Sequence, residues 1–176
     1  MKKIILVLAI VLVTFTLNSK KDALIIPKEA IRFRVIANSD TKNDQNTKIL
    51  IRNALNTQVK KDLSGQNSIE KTRNIIKNNL GNYTDLITST MEENNIKSAF
   101  NINYGMNYFP EKIYKGVKYE EGYYESLVVT LGDGMGSNWW CVLFPPLCLL
   151  EAEETEETTE VEYKFFIKEI LDKYLK

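Results

Sequence analysis

Two cysteines, three closely spaced glycines and an aromatic run in the last third hold what reactive or recognition chemistry the chain could carry, and histidine is absent throughout. Without an imidazole there is no Ser–His or Cys–His pair to activate a nucleophile, and no His-containing zinc site. Cys141 or Cys148 would attack without the usual base, and two thiols cannot close a structural zinc tetrahedron unaided. No Asp-Thr-Gly or Asp-Ser-Gly marks an aspartic dyad. The expectation is therefore no catalytic residue, no metal and no cofactor, which sets binding ahead of catalysis.

The glycines lie in Gly132-Asp133-Gly134-Met135-Gly136, superficially a phosphate-cradling loop. A dinucleotide fingerprint would run Gly-x-Gly-x-x-Gly into a helix, whereas here the third Gly comes one place early and Asn-Trp-Trp follows. The glycines read better as a tight turn that aims the next segment. That segment, Asn138 to Leu150, packs Trp139, Trp140, Phe144, the Pro145-Pro146 pair, Cys141 and Cys148 into thirteen residues. Its aromatics either fill the core or anchor a partner, since Trp is enriched among energetic hot spots. Proline cannot donate to a strand ladder, which suits a presented loop better than a central strand. If the stretch is extended, Trp139 and Trp140 point to opposite faces, one buried and one free. Outside the cytoplasm Cys141 and Cys148 would pair, closing a loop worth roughly 2–3 kcal/mol; the alternative is two buried thiols.

The elements that must position this segment emerge from periodicity. Ile31, Phe33 and Val35 alternate with Arg32 and Arg34, a strand with one buried face. Asn38-Ser39-Asp40 supplies turn chemistry, and Thr41 with Asp44 resembles a capping box. Leu50, Ile51, Ala54, Leu55, Val59 and Leu63 then recur at helical spacing. Ile69, Ile76 and Leu80 predict a second helix, ended by a left-handed Gly81. Tyr83, Leu86, Ile87 and Met91 predict a third over 82–94. Phe100, Ile102, Tyr104 and Met106 return to period two, a shorter run reaches Tyr114 before a Lys115-Gly116 turn, and Tyr123 to Leu131 is a further strand. The expected fold is a single α+β domain: an N-terminal strand, about three helices, then an antiparallel sheet.

At the N-terminus Lys2-Lys3 precedes an apolar run from Ile4 to Leu17, the charged-then-apolar order of an export leader. The run is short for a bilayer span of about 20 residues. A cleaved signal peptide and an N-terminal anchor both fit residues 1–25, leaving 26–150 as the domain and 151–176 as an acidic linker with an amphipathic helix through Tyr163, Phe166, Ile167, Ile170 and Tyr174. Basic and acidic residues balance overall, 23 of each, and no basic stripe with interleaved aromatics suggests nucleic acid.

Taken as motifs, IRFRVIANSD from Ile31 to Asp40, the pair Asp44-Gln45, and Leu131-Gly132-x-Gly134-x-Gly136-x-Asn138 through Cys148 resemble the stage II sporulation protein R family. Tyr104-Gly105, Tyr108-Phe109-Pro110, Tyr114 and Gly122-x-Tyr124-Glu125-x-Leu127 fall between them in the expected order. Tyr119-Glu120-Glu121 stands where that family has Leu-Pro-Ala, Ser126 replaces an Ala, and the Glu-rich tail is outside the pattern. The resemblance implies a protein made in the forespore and exported to the space between forespore and mother-cell membranes. There it triggers a membrane-embedded aspartic protease that processes pro-sigma-E. Partner contact is expected through Asn138, Trp139, Trp140, Phe144, Pro145 and Pro146, and next through Asn38, Ser39 and Asp40. A cell-wall-binding module stacking sugars on the aromatics, or a thiol-dependent enzyme, are the alternatives.

Replacing Leu8 and Val11 with Asp puts charge in the apolar run and opposes membrane insertion by about 5 kcal/mol or more. The doubly substituted chain is expected in the cytoplasmic fraction of cells that export the original; continued export would show that this leader is not what carries it.

Overall fold

The computed structural model describes residues 24–147 and 159–175. The readings of the leader, of Cys148 and of most of the acidic linker lie outside those residues. In chain order the described elements are strands β1 (Leu24–Ile25) and β2 (Ile31–Ile36) and helices α1 (Lys42–Asp62), α2 (Ile69–Asn78) and α3 (Leu80–Glu93). Strands β3 (Phe100–Phe109), β4 (Lys112–Tyr114), β5 (Val117–Tyr119), β6 (Gly122–Leu131) and β7 (Asn138–Phe144) come next, and then helix α4 (Glu160–Tyr174). The fold is α+β, with the three consecutive helices and a fourth near the C-terminus.

One mixed sheet has the order β3-β6-β2-β7. Its outer pairings, β3 with β6 and β2 with β7, are antiparallel, but the central pairing of β2 with β6 is parallel, in register Phe33 to Leu127 and Val35 to Val129. The antiparallel sheet expected from the sequence is thus present around a parallel centre. Strand alternation reports which face is buried and not which way a neighbour runs. The clue was Ser126 to Val129, buried on both faces, as expected for a strand covered on both sides. A second sheet, β1-β5-β4, and α4 supply that further cover.

Two cores result. The first joins Ile31, Phe33 and Val35 to Ile51, Leu55 and Val59 of α1 and to Tyr83, Ile87 and Met91 of α3. The four-residue steps of α1 and α3 align these side chains in stripes facing the sheet. On the opposite face, Val142 meets Ile26, Ala30, Val117 and Leu147 and the buried α4 residues Tyr163, Ile167 and Ile170. The C-terminal helix therefore packs back on the fold, started by a full capping box between Thr159 and Glu162.

Local departures have local causes. Gly81 does not end α2; it lies inside the first turn of α3. The break falls at Asn79, whose side-chain amide donates to the Ile75 carbonyl at 2.9 Å and so satisfies the helix end itself. Thr41 caps α1 by accepting the Asp44 amide at 3.3 Å, but the Asp44 carboxylate turns to Asn38 and Ser39, so the box is only half formed. Along β3, Phe100, Ile102 and Tyr104 meet the helical core while Met106 is exposed.

Arg73 of α2 ties the helical layer to the sheet through both Glu125 oxygens, at 2.7 and 2.8 Å, and Tyr104 donates to the same carboxylate at 2.9 Å. The Arg73 guanidinium, aided by Tyr104, holds the Glu125 carboxyl below its ordinary range. A carboxyl depressed in the fold contributes stability that is complete above its unfolded pKa of about 4.3 and is lost as pH falls through the lower folded value. Urea denaturation from pH 7 to pH 3 should therefore show an acid limb that is shallower in Glu125→Gln; superimposable limbs would remove Glu125 from the account.

Candidate recognition site

The segment after β2 and the segment after β6 lock together, and that lock positions β7. Asn38 Oδ1 accepts the Asp133 amide at 2.9 Å while its Nδ2 donates to Asp44 at 3.0 Å. The Met135 amide donates to the Asn38 carbonyl at 3.0 Å and the Gly136 amide to the Ala37 carbonyl at 2.9 Å. Asp40 accepts the Ser137 amide at 2.7 Å, and buried Lys48 of α1 donates to the Ser137 carbonyl at 3.1 Å. Ser137 holds the Asp40 carboxyl below its ordinary range, and the Ser39 hydroxyl and Asn38 amide do the same for Asp44. Both therefore stay ionised as fixed acceptors. The glycines are there for closeness: a Cβ at Gly132 would sit 2.2 Å from Asn38 Oδ1, and one at Gly136 would sit 2.3 Å from the Ser39 carbonyl oxygen. The three-glycine run is a turn that aims β7.

As an edge strand pairing only with β2 among the described strands, β7 places Trp139 opposite Val35 and Trp140 opposite Arg34. The two indoles face opposite sides of the sheet, as alternation predicts. Trp139 lies edge-on to Phe33 at 5.3 Å, with Arg52 over its ring at 5.5 Å. Trp140 lies edge-on to Phe109 at 5.4 Å, with Lys112 at 5.1 Å. Neither is wholly buried nor wholly free, since each is half-covered by a different layer. Phe144, Pro145 and Pro146 are buried and face the chain's own residues; Phe144 meets Tyr174 of α4 edge-on at 6.0 Å. Cys141, at register with Phe33, is buried in the first core. Asn38 and Ser39 are half-buried within the lock and Asp40 is exposed.

Arg32 is not among the residues singled out from the sequence, yet it is the largest fully buried side chain, at 1% exposure. Alternation signals it: if Phe33 and Val35 enter the helical core, Arg32 must enter the opposite layer. Its guanidinium carbon lies 3.4 Å from the Tyr124 ring centre, 5.1 Å from Phe109 and 5.8 Å from Tyr119. Among the described residues none of its N–H groups meets an acceptor in hydrogen-bonding geometry, the Tyr124 hydroxyl being a neighbour that favours the charge without closing a bond. Burial lowers its pKa against the opposing effect of the neighbouring Tyr124 and Tyr119 hydroxyls, but an arginine remains charged there. Beside it opens a cleft of about 190 Å³, bounded by Lys112, Tyr114, Asn138, Trp140 and Tyr163. Ser126 is fully buried nearby, its hydroxyl donating to the Tyr124 carbonyl at 3.1 Å and accepting from Asn107 at 3.0 Å, so this departure from the Ala pattern is satisfied internally. Among the described residues no group of three or more His, Cys, Asp or Glu could hold a metal ion, and no helix is long and apolar enough to cross a membrane.

A family model described as stage II sporulation protein R matches residues 27–154. The stage II sporulation protein R of Bacillus subtilis (strain 168) is 37% identical over 158 residues, covering 90% of this chain and 70% of that protein. No solved structure gives a significant match. The chain belongs to the stage II sporulation protein R family.

Substituting Gly136 with Ala drives a methyl group into the Ser39 backbone and is expected to cost about 1–3 kcal/mol in urea denaturation, as overpacking does. Gly81, in a helix with nothing within 4 Å of its Cβ position, is the control: Gly81→Ala should gain up to about 1 kcal/mol. Equal effects at the two positions would contradict the lock.

Proposed function

We propose that this member of the stage II sporulation protein R family is an exported signal that activates a membrane-embedded aspartic protease, which then processes pro-sigma-E. Family membership carries the reading. The leader pattern at Lys2 to Leu17 supports export into the space between forespore and mother-cell membranes, as a secreted or N-terminally anchored chain. The lack of histidine supports a ligand rather than a catalyst.

The partner meets the β7 edge at Asn138, Trp139 and Trp140 and the adjoining Asn38, Ser39 and Asp40 turn. An edge strand offers unpaired backbone groups, and the two half-exposed indoles flank it with the large, stiff contact area that hot spots use. Phe144, Pro145 and Pro146 serve that surface from beneath, fixing the end of β7 against α4. Cys141 and Cys148 form a disulfide in the oxidising compartment, bridging the Pro145-Pro146 bend.

The test is co-reconstitution of the full chain with the candidate protease in liposomes, reading cleavage of the sigma precursor. Cleavage that depends on the added chain, and that falls about 30-fold or more with Trp140→Ala, is the expected outcome for loss of a hot spot of about 2 kcal/mol. Precursor cleavage at the same rate without the chain would contradict the reading.

A further inference from the structure

A guanidinium removed from water with every N–H unpartnered is costly, and aromatic stacking compensates only the faces of the ion, not its edge donors. In native proteins such a group calls for a missing partner. The residues around Arg32 say what kind. Trp140 Nε1 is a second buried donor without an acceptor among the described residues. Lys112 stands over the Trp140 ring at the exposed mouth of the cleft, and Arg34, with its own Nε unpartnered, lies 5.7 Å from the same ring. No Asp or Glu is among the described lining residues. Among the described residues the cleft therefore holds two cations and no carboxylate, is walled by rings, and carries one unpartnered acceptor, Asn138 Oδ1, beside its stranded donors.

We infer that this cleft binds a carboxylate presented by a polypeptide segment laid along the β7 edge. The planar fork of an arginine matches a carboxylate in a bidentate pair, which would satisfy two of the stranded N–H groups at once. The indole N–H of Trp140 adds a third donor, and Lys112 steers the anion in from solvent. A polypeptide source is favoured by the neighbouring backbone: among the described strands β7 pairs on one side only, and at Asn138 to Trp140, the part of the strand that is not buried, an extended chain gains ladder hydrogen bonds while one of its side chains turns into the cleft. The volume of about 190 Å³ is ample for one acidic side chain. Exposed Lys112 and Tyr114 form the mouth and yield as it enters. The inference rests on the reading of Asn138 to Trp140 as the partner-facing edge and specifies its chemistry: the segment that docks there carries an Asp, a Glu or a C-terminal carboxylate.

The full chain, labelled with nitrogen-15, has two Trp residues and hence two indole N–H signals, which Trp140→Phe assigns. Three probes are titrated at low salt: a capped valine-rich pentapeptide with one central Glu, its Gln counterpart with an amidated end, and the Gln peptide with a free C-terminal carboxylate. The Glu peptide is expected to shift the Trp140 signal and to bind at least tenfold more tightly than the amidated Gln peptide. The free-ended peptide reports whether a terminal carboxylate serves equally. Lys112→Ala, a surface change that leaves the fold intact, should weaken the Glu peptide severalfold and leave the Gln peptide unaffected. Arg32→Lys, which keeps the charge and loses the fork, should abolish the preference. Equal binding of the Glu and amidated Gln peptides, a shift confined to Trp139, or an equal response to inorganic phosphate would each overturn the inference. In the protease assay, Lys112→Ala at wild-type activity would overturn the cleft as the partner's anchor while leaving the activating role itself standing.

Discussion

Everything on the far side of the sheet answers to one constraint: a strand that sends Phe33 and Val35 into the helical core must send Arg32 the other way, into a layer that is also buried. Arg32 is only 1% exposed, so its charge has to be met chiefly by protein. The fold meets its faces with rings, Tyr124 closest at 3.4 Å, drawn from β6, from β5 and from the end of β3. The second sheet and α4 complete the enclosure, and Tyr163 of α4 reaches the same cleft. A smaller apolar side chain at position 32 would leave that ring cage without its centre, and a carboxylate there would be repelled by the electron-rich ring faces.

The second organising feature is the crossing of the two turns. Asn38 uses both ends of its amide, one on the Asp133 backbone and one on Asp44, so a single side chain joins the exit of β2, the start of α1 and the exit of β6. An aspartate of the same size could accept but not donate, and would face Asp44 as a like charge. Asp40 then fixes Ser137 immediately before β7 begins. The position of the Trp139–Trp140 pair is in this way inherited from polar bonds to a turn far upstream in sequence, and the glycines matter because the two backbones touch.

Much of this architecture is legible in the sequence, element by element. Helix and strand periods place α1, α3, β2, β3 and β6 closely, because each has one face in a core and the spacing of apolar residues records it. The turn role of Gly132 to Gly136 is readable from the Asn-Trp-Trp run that stands after it in place of a helix. The parallel pairing of β2 with β6 is not, since strand direction is set by the route of the chain and leaves no trace in alternation. Strands of two or three residues such as β1 and β5 carry too few positions to show a period. The burial of Phe144 is hidden for another reason: it faces Tyr174 of α4, a helix distant in sequence whose docking no local period records. The family motif marks the turn and the Trp pair, whereas the burial of Arg32 inside that motif is masked by its pattern, since a charge opposite a hydrophobic face ordinarily means solvent.

The central claim is that recognition happens at the β7 edge, and amide hydrogen exchange on the full chain with and without the candidate protease, held in a lipid bilayer, addresses it directly. Residues 138–140, the turn at 38–40 and the cleft-lining strand at 112–114 should become protected on binding, while the outer edge of β3 and the solvent faces of α1 to α3 exchange unchanged. Protection concentrated on β3 or on the helical layer, with β7 unaltered, would contradict the account.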